Sequence, residues 1–218
     1  MKMIYCIMLA FLCSLPFYLV GCEQAPTGSS QNNSQDSSRV VVRKPNIYIY
    51  PENRIDITVS LFFPNGGEII ESIPEYKMGW EVSVDTNGVI DEQYGFLFYE
   101  CQISNFFQRD SGWVVSRSEV DSFFKKNLYS YGFRGREIDD FIEFWVPKLD
   151  DSEHYVVYPQ VDGFIDEYIQ LNINPLPQTM IRLFYVIDNY NDKRVIHQPI
   201  IRQFSRNGFV VLEWGVIR

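Results

Sequence analysis

The sequence predicts an α+β fold: a mainly antiparallel β-sheet or sandwich with a helical hairpin inserted at about residues 117–146. Three observations predict it. Apolar and polar residues alternate along much of the chain, the apolar spacing becomes helical in the middle, and strands and helices do not alternate regularly. Because parallel sheets require regular crossover helices, an antiparallel arrangement is favoured.

The strands are predicted from apolar residues that recur at every second position. Ile55, Ile57 and Val59, for example, alternate with polar residues, which is typical of a strand with one buried face. Strands are expected at 40–42, 47–50, 55–61, 80–84 and 96–100, and after the helices at 155–158, 168–173, 180–187 and 209–214. Asn87-Gly88 predicts a hairpin turn between the strands at 80–84 and 96–100.

Two short amphipathic helices are predicted in the middle of the chain. Apolar residues recur at helical spacing over 120–131 and again over 138–145. A candidate capping box begins at Ser116, Gly132 is placed to end the first helix, and Pro147 stops the second. The apolar faces of both helices are expected to cover the sheet.

The beginning of the chain predicts export and lipid attachment. Lys2 precedes an apolar run at 3–20, and the run closes on Gly21 and Cys22, which is typical of a bacterial lipoprotein signal peptide over 1–21. The Cys22 thiol is then expected to carry acyl chains that anchor the protein outside a membrane of the cell envelope. An uncleaved membrane-spanning helix is the alternative, although a central proline argues against it.

A spacer and one folded domain are expected after the signal peptide. Residues 22–39 are rich in Ser, Asn and Gln and contain almost no apolar side chains, so they predict a flexible spacer. Residues 40–218 are expected to form a single globular domain that folds alone when the chain begins near Arg39. Cys101 is then the only cysteine of the domain, so no disulfide is predicted within it.

The charge and the motif content exclude several classes of function. The whole chain has a formal charge of −9, and loss of the signal peptide with its single lysine makes it more acidic. The sequence shows no basic stripe, so nucleic acid is not expected as a partner. No metal site or cofactor is predicted, because His154 and His197 stand far apart and no phosphate-binding glycine loop occurs.

Two motifs resemble those of a known family. The chain reads Lys-Pro-Asn-Ile-Tyr-Ile-Tyr-Pro at 44–51 and Val-Leu-Glu-Trp-Gly at 211–215. It therefore resembles a family of uncharacterised bacterial secreted or lipoprotein domains with a Lys-Pro-x-Ile-Tyr-x-Tyr-Pro opening and a Val-x-Glu-Trp-Gly close. The likeness extends over most of 44–215 and implies no particular activity. Cys101 departs from the small residue expected there, so the resemblance gives it no shared catalytic role.

Three glutamates beside aromatic residues are candidate catalytic groups: Glu100, Glu143 and Glu213. Two carboxylates whose environments separate their pKa values can act as the acid and base of glycoside hydrolysis. A structural role is the alternative. Glu213 shares a strand face with apolar residues, and Arg182 is the expected partner if that face is buried.

The aromatic content suggests a ligand-binding face. Tyr48 and Tyr50 share one face of their strand, and aromatic rings with polar tips suit sugar rings or peptide segments. The candidate ligand-binding residues are Tyr48, Tyr50, Trp80, Arg182 and Trp214. Packing in a β-rich core is the alternative for the same residues.

Three functions are compatible with these observations. The favoured one is a membrane-anchored, non-enzymatic binding module for an envelope polymer or protein, because the sequence combines an anchor and many aromatic residues with no catalytic motif. The alternatives are a carboxylate-dependent glycan hydrolase and a structural component of the envelope.

Overall fold

A computed structural model describes residues 39–190, 195–202 and 204–218. Cys22, the predicted signal peptide and nearly all of the predicted spacer lie outside the described residues. None of the helices in the described ranges has the length and hydrophobicity of a membrane-spanning segment.

The described chain contains ten strands and three α-helices. The strands are β1 (Arg39–Tyr50), β2 (Ile55–Phe62), β3 (Gly67–Ile73), β4 (Trp80–Val84), β5 (Leu97–Ser104), β6 (Trp113–Ser116), β7 (His154–Val161), β8 (Gln170–Asn174), β9 (Thr179–Asn189) and β10 (Val210–Ile217). The helices are α1 (Val120–Ser130), α2 (Arg136–Trp145) and the single-turn α3 (Gly163–Asp166). Short 3₁₀ turns precede α1 (Arg117–Glu119) and follow α2 (Val146–Lys148).

The strands form two sheets. The large sheet has seven strands in the order β3-β5-β1-β10-β9-β7-β6, and the small sheet has three in the order β4-β2-β8. Neighbouring strands are antiparallel except for β9 and β10, which run parallel. The predicted α+β class, with a mainly antiparallel sheet and an inserted helical hairpin, is confirmed.

The central strands of the large sheet are buried on both faces. On one face, residues such as Ile47 and Val211 pack with Ile57 and Trp80 of the small sheet. On the opposite face, the adjacent residues of the same strands pack against α1 and α2, in a cluster that includes Phe141. Because side chains alternate between faces, each central strand of the large sheet contributes to both cores.

The helical hairpin ends where the sequence predicts. Gly132, with a φ of +97°, follows α1, and the N–H of Phe133 donates to the carbonyl of Leu128 at 3.1 Å. Pro147 lies in the 3₁₀ turn that follows α2. The predicted capping box is wrong, because the Ser116 hydroxyl bonds a side-chain oxygen of Glu119 instead of a backbone N–H.

The predicted hairpin between the strands at 80–84 and 96–100 is also wrong. The turn at Asn87-Gly88 is present, and the N–H of Gly88 donates to the Asp85 carbonyl at 3.0 Å. The chain after the turn forms only two isolated bridges, from Ile90 to Val84 and to Tyr94, before it crosses to the large sheet. Strand β4 therefore pairs with β2, and β5 pairs with β1 and β3.

Strand β1 contains an irregularity that positions the candidate site. The segments 40–42 and 47–50 belong to one strand, and its register shifts between Arg43 and Asn46. Lys44 lies in this interruption with a φ of +53°, a conformation uncommon for a residue other than glycine. The interruption releases the N–H of Lys44 from the strand ladder.

Candidate functional site

Two adjoining depressions meet at Lys44 on the helical side of the large sheet, and we call them together the Lys44 cleft. Both are lined by Lys44, Phe96 and Phe144. The larger, of about 500 Å³, is also lined by Glu71, Ile73, Gln93, Tyr94, Gly95, Phe98 and Glu100. The smaller, of about 310 Å³, is also lined by Asn46, Asp140, Glu143 and Lys148. These volumes fall in the range of small-ligand sites.

The ammonium group of Lys44 lies among three aromatic rings. Its Nζ is 4.8 Å from the ring centroid of Phe96, 4.8 Å from that of Phe98 and 5.1 Å from that of Phe144. A cation at these distances is attracted to the ring faces. Its polar contact is a long hydrogen bond of 3.4 Å to Oδ1 of Asn46.

Burial among these rings lowers the pKa of Lys44 from its ordinary value of 10.5, because the charged form loses hydration. The carboxylates of Asp140, Glu100 and Glu71 oppose this shift, and the nearby ammonium of Lys148 adds to it. The cleft therefore holds an amine that gives up its proton more readily than an exposed lysine does.

A chain of hydrogen bonds connects Lys44 to helix α2. The amide nitrogen of the fully buried Asn46 donates to the Tyr48 hydroxyl at 3.2 Å, and that hydroxyl donates to Oδ2 of Asp140 at 2.8 Å. Burial raises the pKa of Tyr48 well above its usual range, so this phenol stays protonated. The chain fixes the Asn46 amide with its oxygen directed to Lys44.

Carboxylates surround the ammonium group without forming an ion pair with it in the described part of the chain. Glu71 and Glu100 lie directly opposite each other in the pairing of β3 with β5, a repulsive arrangement of like charges. Oε1 of Glu100 accepts a hydrogen bond of 3.2 Å from the N–H of Lys44. The interruption in β1 thus supplies a donor that partly compensates the charge of Glu100.

The three predicted catalytic carboxylates do not share one site. Glu100 and Glu143 line the two depressions of the Lys44 cleft. Glu213 is fully buried on the opposite face of the large sheet, where its Oε2 lies 2.5 Å from Nε of Arg182. The expected pairing of Arg182 with Glu213 is confirmed, and it supports the structural alternative for Glu213.

The structure does not hold the residues of the predicted aromatic platform on one exposed face. Tyr48 and Trp214 are fully buried against the helices, whereas Trp80 is buried between the two sheets. Arg182 is only 1% exposed. Tyr50 is half-buried, and its hydroxyl accepts a hydrogen bond from Nε of Arg136 at 3.3 Å. The sequence shows which strand face each residue occupies, but not that a second layer covers that face.

Sequence reasoning missed Lys44, Asn46, Asp140 and Phe144 as site residues. The available signal was Lys44-Pro45, since a charged residue and a proline interrupt two apolar segments of one strand. Cys101 is fully buried with its pKa raised by burial, so it lines no cleft. No cluster of three potential metal ligands occurs among the residues that the structure describes.

No family model, curated protein or solved structure matches this chain. The resemblance to the family with the Lys-Pro-x-Ile-Tyr-x-Tyr-Pro opening stays a prediction. Any functional inference for this protein therefore depends on the geometry of its own residues.

Proposed function

We propose that this protein is a lipid-anchored, extracytoplasmic binding module of the cell envelope whose Lys44 cleft binds a segment of a hydroxyl-rich glycan polymer. One observation carries the proposal: an ammonium group held among three aromatic rings where two depressions meet. Attachment through Cys22 would keep such a module close to envelope polymers.

The lining of the cleft fits a glycan chemically. The carboxylates of Glu71, Glu100 and Glu143 can accept hydrogen bonds from sugar hydroxyls, and the ammonium of Lys148 can donate to them. The rings of Tyr94 and Phe144 offer apolar surface for the faces of sugar rings. Two depressions side by side suit consecutive units of a polymer better than one small molecule.

Binding by the full-length chain to soluble fragments of envelope glycans, measured by isothermal titration calorimetry, tests the proposal. Lys44→Met and Phe144→Ala should each weaken binding by about tenfold, because each removes contacts at the centre of the cleft. Lys125→Met is the matched control, since this exposed lysine on α1 pairs with Asp121 and lies outside the cleft. Unchanged affinity in a correctly folded Lys44→Met protein would exclude the cleft as the binding site.

A glycan hydrolase is the second candidate, because Glu100 and Glu143 line adjoining depressions. Release of new reducing ends from the same glycan fragments distinguishes the two functions. A hydrolase predicts release that Glu143→Gln abolishes, whereas a binding module predicts no release by the wild-type protein.

A further inference from the structure

The outer edge of strand β3 is open. Strand β3 is the first strand of the large sheet and pairs on one side with β5, and no other described strand pairs with it. An open edge presents a row of backbone N–H and C=O groups that another extended chain can use for hydrogen bonding. Neither lysine nor proline, which commonly protect such edges, occurs within β3.

A groove of about 580 Å³ lies beside this edge, and we call it the β3 groove. It is lined by residues 67–72 of β3 and, opposite them, by Leu61, Phe63 and residues 75–77. Tyr76 is held in place at both ends: its N–H donates to the Ser72 hydroxyl at 2.7 Å, and its own hydroxyl accepts from the N–H of Leu61 at 2.9 Å. The groove therefore has a fixed wall facing an open strand edge.

The groove combines apolar surface with negative charge. Ile70 is 51% exposed and lies where the register between β3 and β5 shifts. Glu68, Glu71 and Glu75 line the groove together with a single lysine, and Arg39 partly offsets the charge of Glu68 from 3.5 Å. Apolar pockets beside a strand edge accept alternate side chains of an added strand, and the carboxylates favour a partner with basic side chains.

We propose that the β3 groove binds an extended, basic segment of another protein, which adds to the large sheet as a further strand beside β3. The negative charge of the groove favours this partner over two others, the segment 23–38 of this chain and a second copy of the chain. Residues 23–38 of this chain contain Glu23 and Asp36 and no lysine or arginine, so they lack the required charge. A second copy would bring the same three carboxylates of each groove together.

This inference is separate from glycan binding at the Lys44 cleft. Glu71 lines both sites, but Glu68 and Glu75 line the β3 groove alone. Variants at Glu68 and Glu75 therefore test the groove, and Lys44→Met tests the cleft.

Fluorescence anisotropy with the full-length chain and a labelled eight-residue peptide of alternating lysine and valine tests the proposal. Glu68→Lys/Glu75→Lys should weaken binding by about tenfold or more, because it reverses the charge of the groove. Glu52→Lys/Glu153→Lys is the matched control, since it makes the same change of charge at two exposed glutamates that line neither the groove nor the cleft. Lys44→Met should leave peptide binding unchanged.

Two further peptides distinguish strand addition from general attraction to an acidic protein. A peptide methylated at every backbone amide should bind about tenfold more weakly, since neither of its sides can donate hydrogen bonds to the edge of β3. A peptide with glutamate in place of lysine should not bind. In the wild-type protein, the basic peptide should slow hydrogen exchange of the amides at 67–73.

Several results would overturn the proposal. Equal binding of the methylated and unmethylated peptides would mean electrostatic adhesion only. Unchanged hydrogen exchange of the amides at 67–73 would mean that the peptide binds elsewhere on the protein. Unchanged peptide affinity in Glu68→Lys/Glu75→Lys would lead to the same conclusion. Self-association that the peptide inhibits would assign the edge to a second copy.

Discussion

The hydroxyl of Tyr99 donates a hydrogen bond of 2.6 Å to Oε1 of Glu213, and both residues are fully buried. The other carboxylate oxygen of Glu213 accepts a hydrogen bond from Nε of Arg182. Nη1 of Arg182 donates hydrogen bonds to the carboxylate of Asp166 and to the carbonyl of Ile169. A buried charge without a partner is unfavourable, so each charged group of this network depends on the groups that it contacts. It joins β5, β10 and β9 inside the core between the two sheets.

Removing one partner of this network should therefore destabilise the protein strongly. Arg182→Met leaves the Glu213 carboxylate buried without its cation, and we expect the free energy of unfolding to fall by about 3–5 kcal/mol. Urea denaturation followed by circular dichroism measures the change. The matched control is Arg109→Met, because the Arg109–Asp188 pair is about one third exposed and should contribute roughly 1 kcal/mol or less. Similar losses in the two variants would contradict a special role for the buried pair.

The Lys44 ammonium should titrate below the ordinary lysine value of 10.5, because burial disfavours its charged form. An NMR titration of its side-chain carbon signals measures this directly. Asp140→Asn should lower the pKa further, since it removes an attractive carboxylate, and Lys148→Met should raise it, since it removes a repulsive ammonium. Shifts of the opposite sign would show that these groups do not face Lys44.

The same titration predicts how stability depends on pH. Between the lowered pKa of the folded chain and the ordinary pKa of the unfolded chain, the unfolded chain holds a proton that the folded chain has lost. The contribution of Lys44 to the free energy of unfolding therefore rises as the pH increases through this window. Lys44→Met should remove that contribution. Chemical denaturation at several pH values measures it, and an unaltered pH dependence in the variant would contradict the assignment.

Glu137 should be the most important carboxylate for docking helix α2. Its two oxygens accept from Nη1 and Nη2 of Arg206 at 2.9 and 3.0 Å, and its carbonyl accepts from Nε1 of Trp214 at 2.9 Å. Glu137→Gln should lower the free energy of unfolding by about 1.5–3 kcal/mol, because a buried charged hydrogen-bond group is lost. Asp139→Asn, on an exposed residue in the same turn of the helix, should change it by about 0.5 kcal/mol or less. Equal effects would mean that the ion pair does not dock the helix.

Local patterns in the sequence predicted the elements that form by local rules. The helical spacing located α1 and α2, and Gly132 marked the end of α1 because the chain needs a positive φ there. The two-residue period assigned Glu213 to the face of Val211, and the burial of that face made Arg182 its partner. These inferences required only the geometry of one element and the cost of burying a charge.

The candidate site could not be predicted in this way, because it depends on contacts distant in sequence. Lys44 reaches Phe96 and Phe98 across the β1–β5 pairing and Phe144 on a helix about 100 residues later. Trp80 was misplaced for a related reason: the turn at Asn87-Gly88 suggests a hairpin, but β4 and β5 belong to different sheets. Turn chemistry fixes a local bend and does not decide which sheet the chain joins next.

A chain that begins at Arg39 should fold alone, and Cys101 provides a way to measure this. Cys101 is then the only cysteine, it is fully buried, and burial raises its pKa well above the ordinary value of 9.0. Because the thiolate is the reactive species, the folded chain should react with a thiol reagent about a hundredfold more slowly than the urea-unfolded chain, which exposes one reactive thiol. Fast reaction without urea would mean either that the boundary at Arg39 removes residues that the fold needs or that Cys101 lies at the surface. A full-length Cys22→Ser/Cys6→Ser/Cys13→Ser variant, in which Cys101 is again the only cysteine, separates these two explanations. Slow reaction of this variant would mean that the boundary at Arg39 is wrong. Fast reaction would mean that Cys101 lies at the surface.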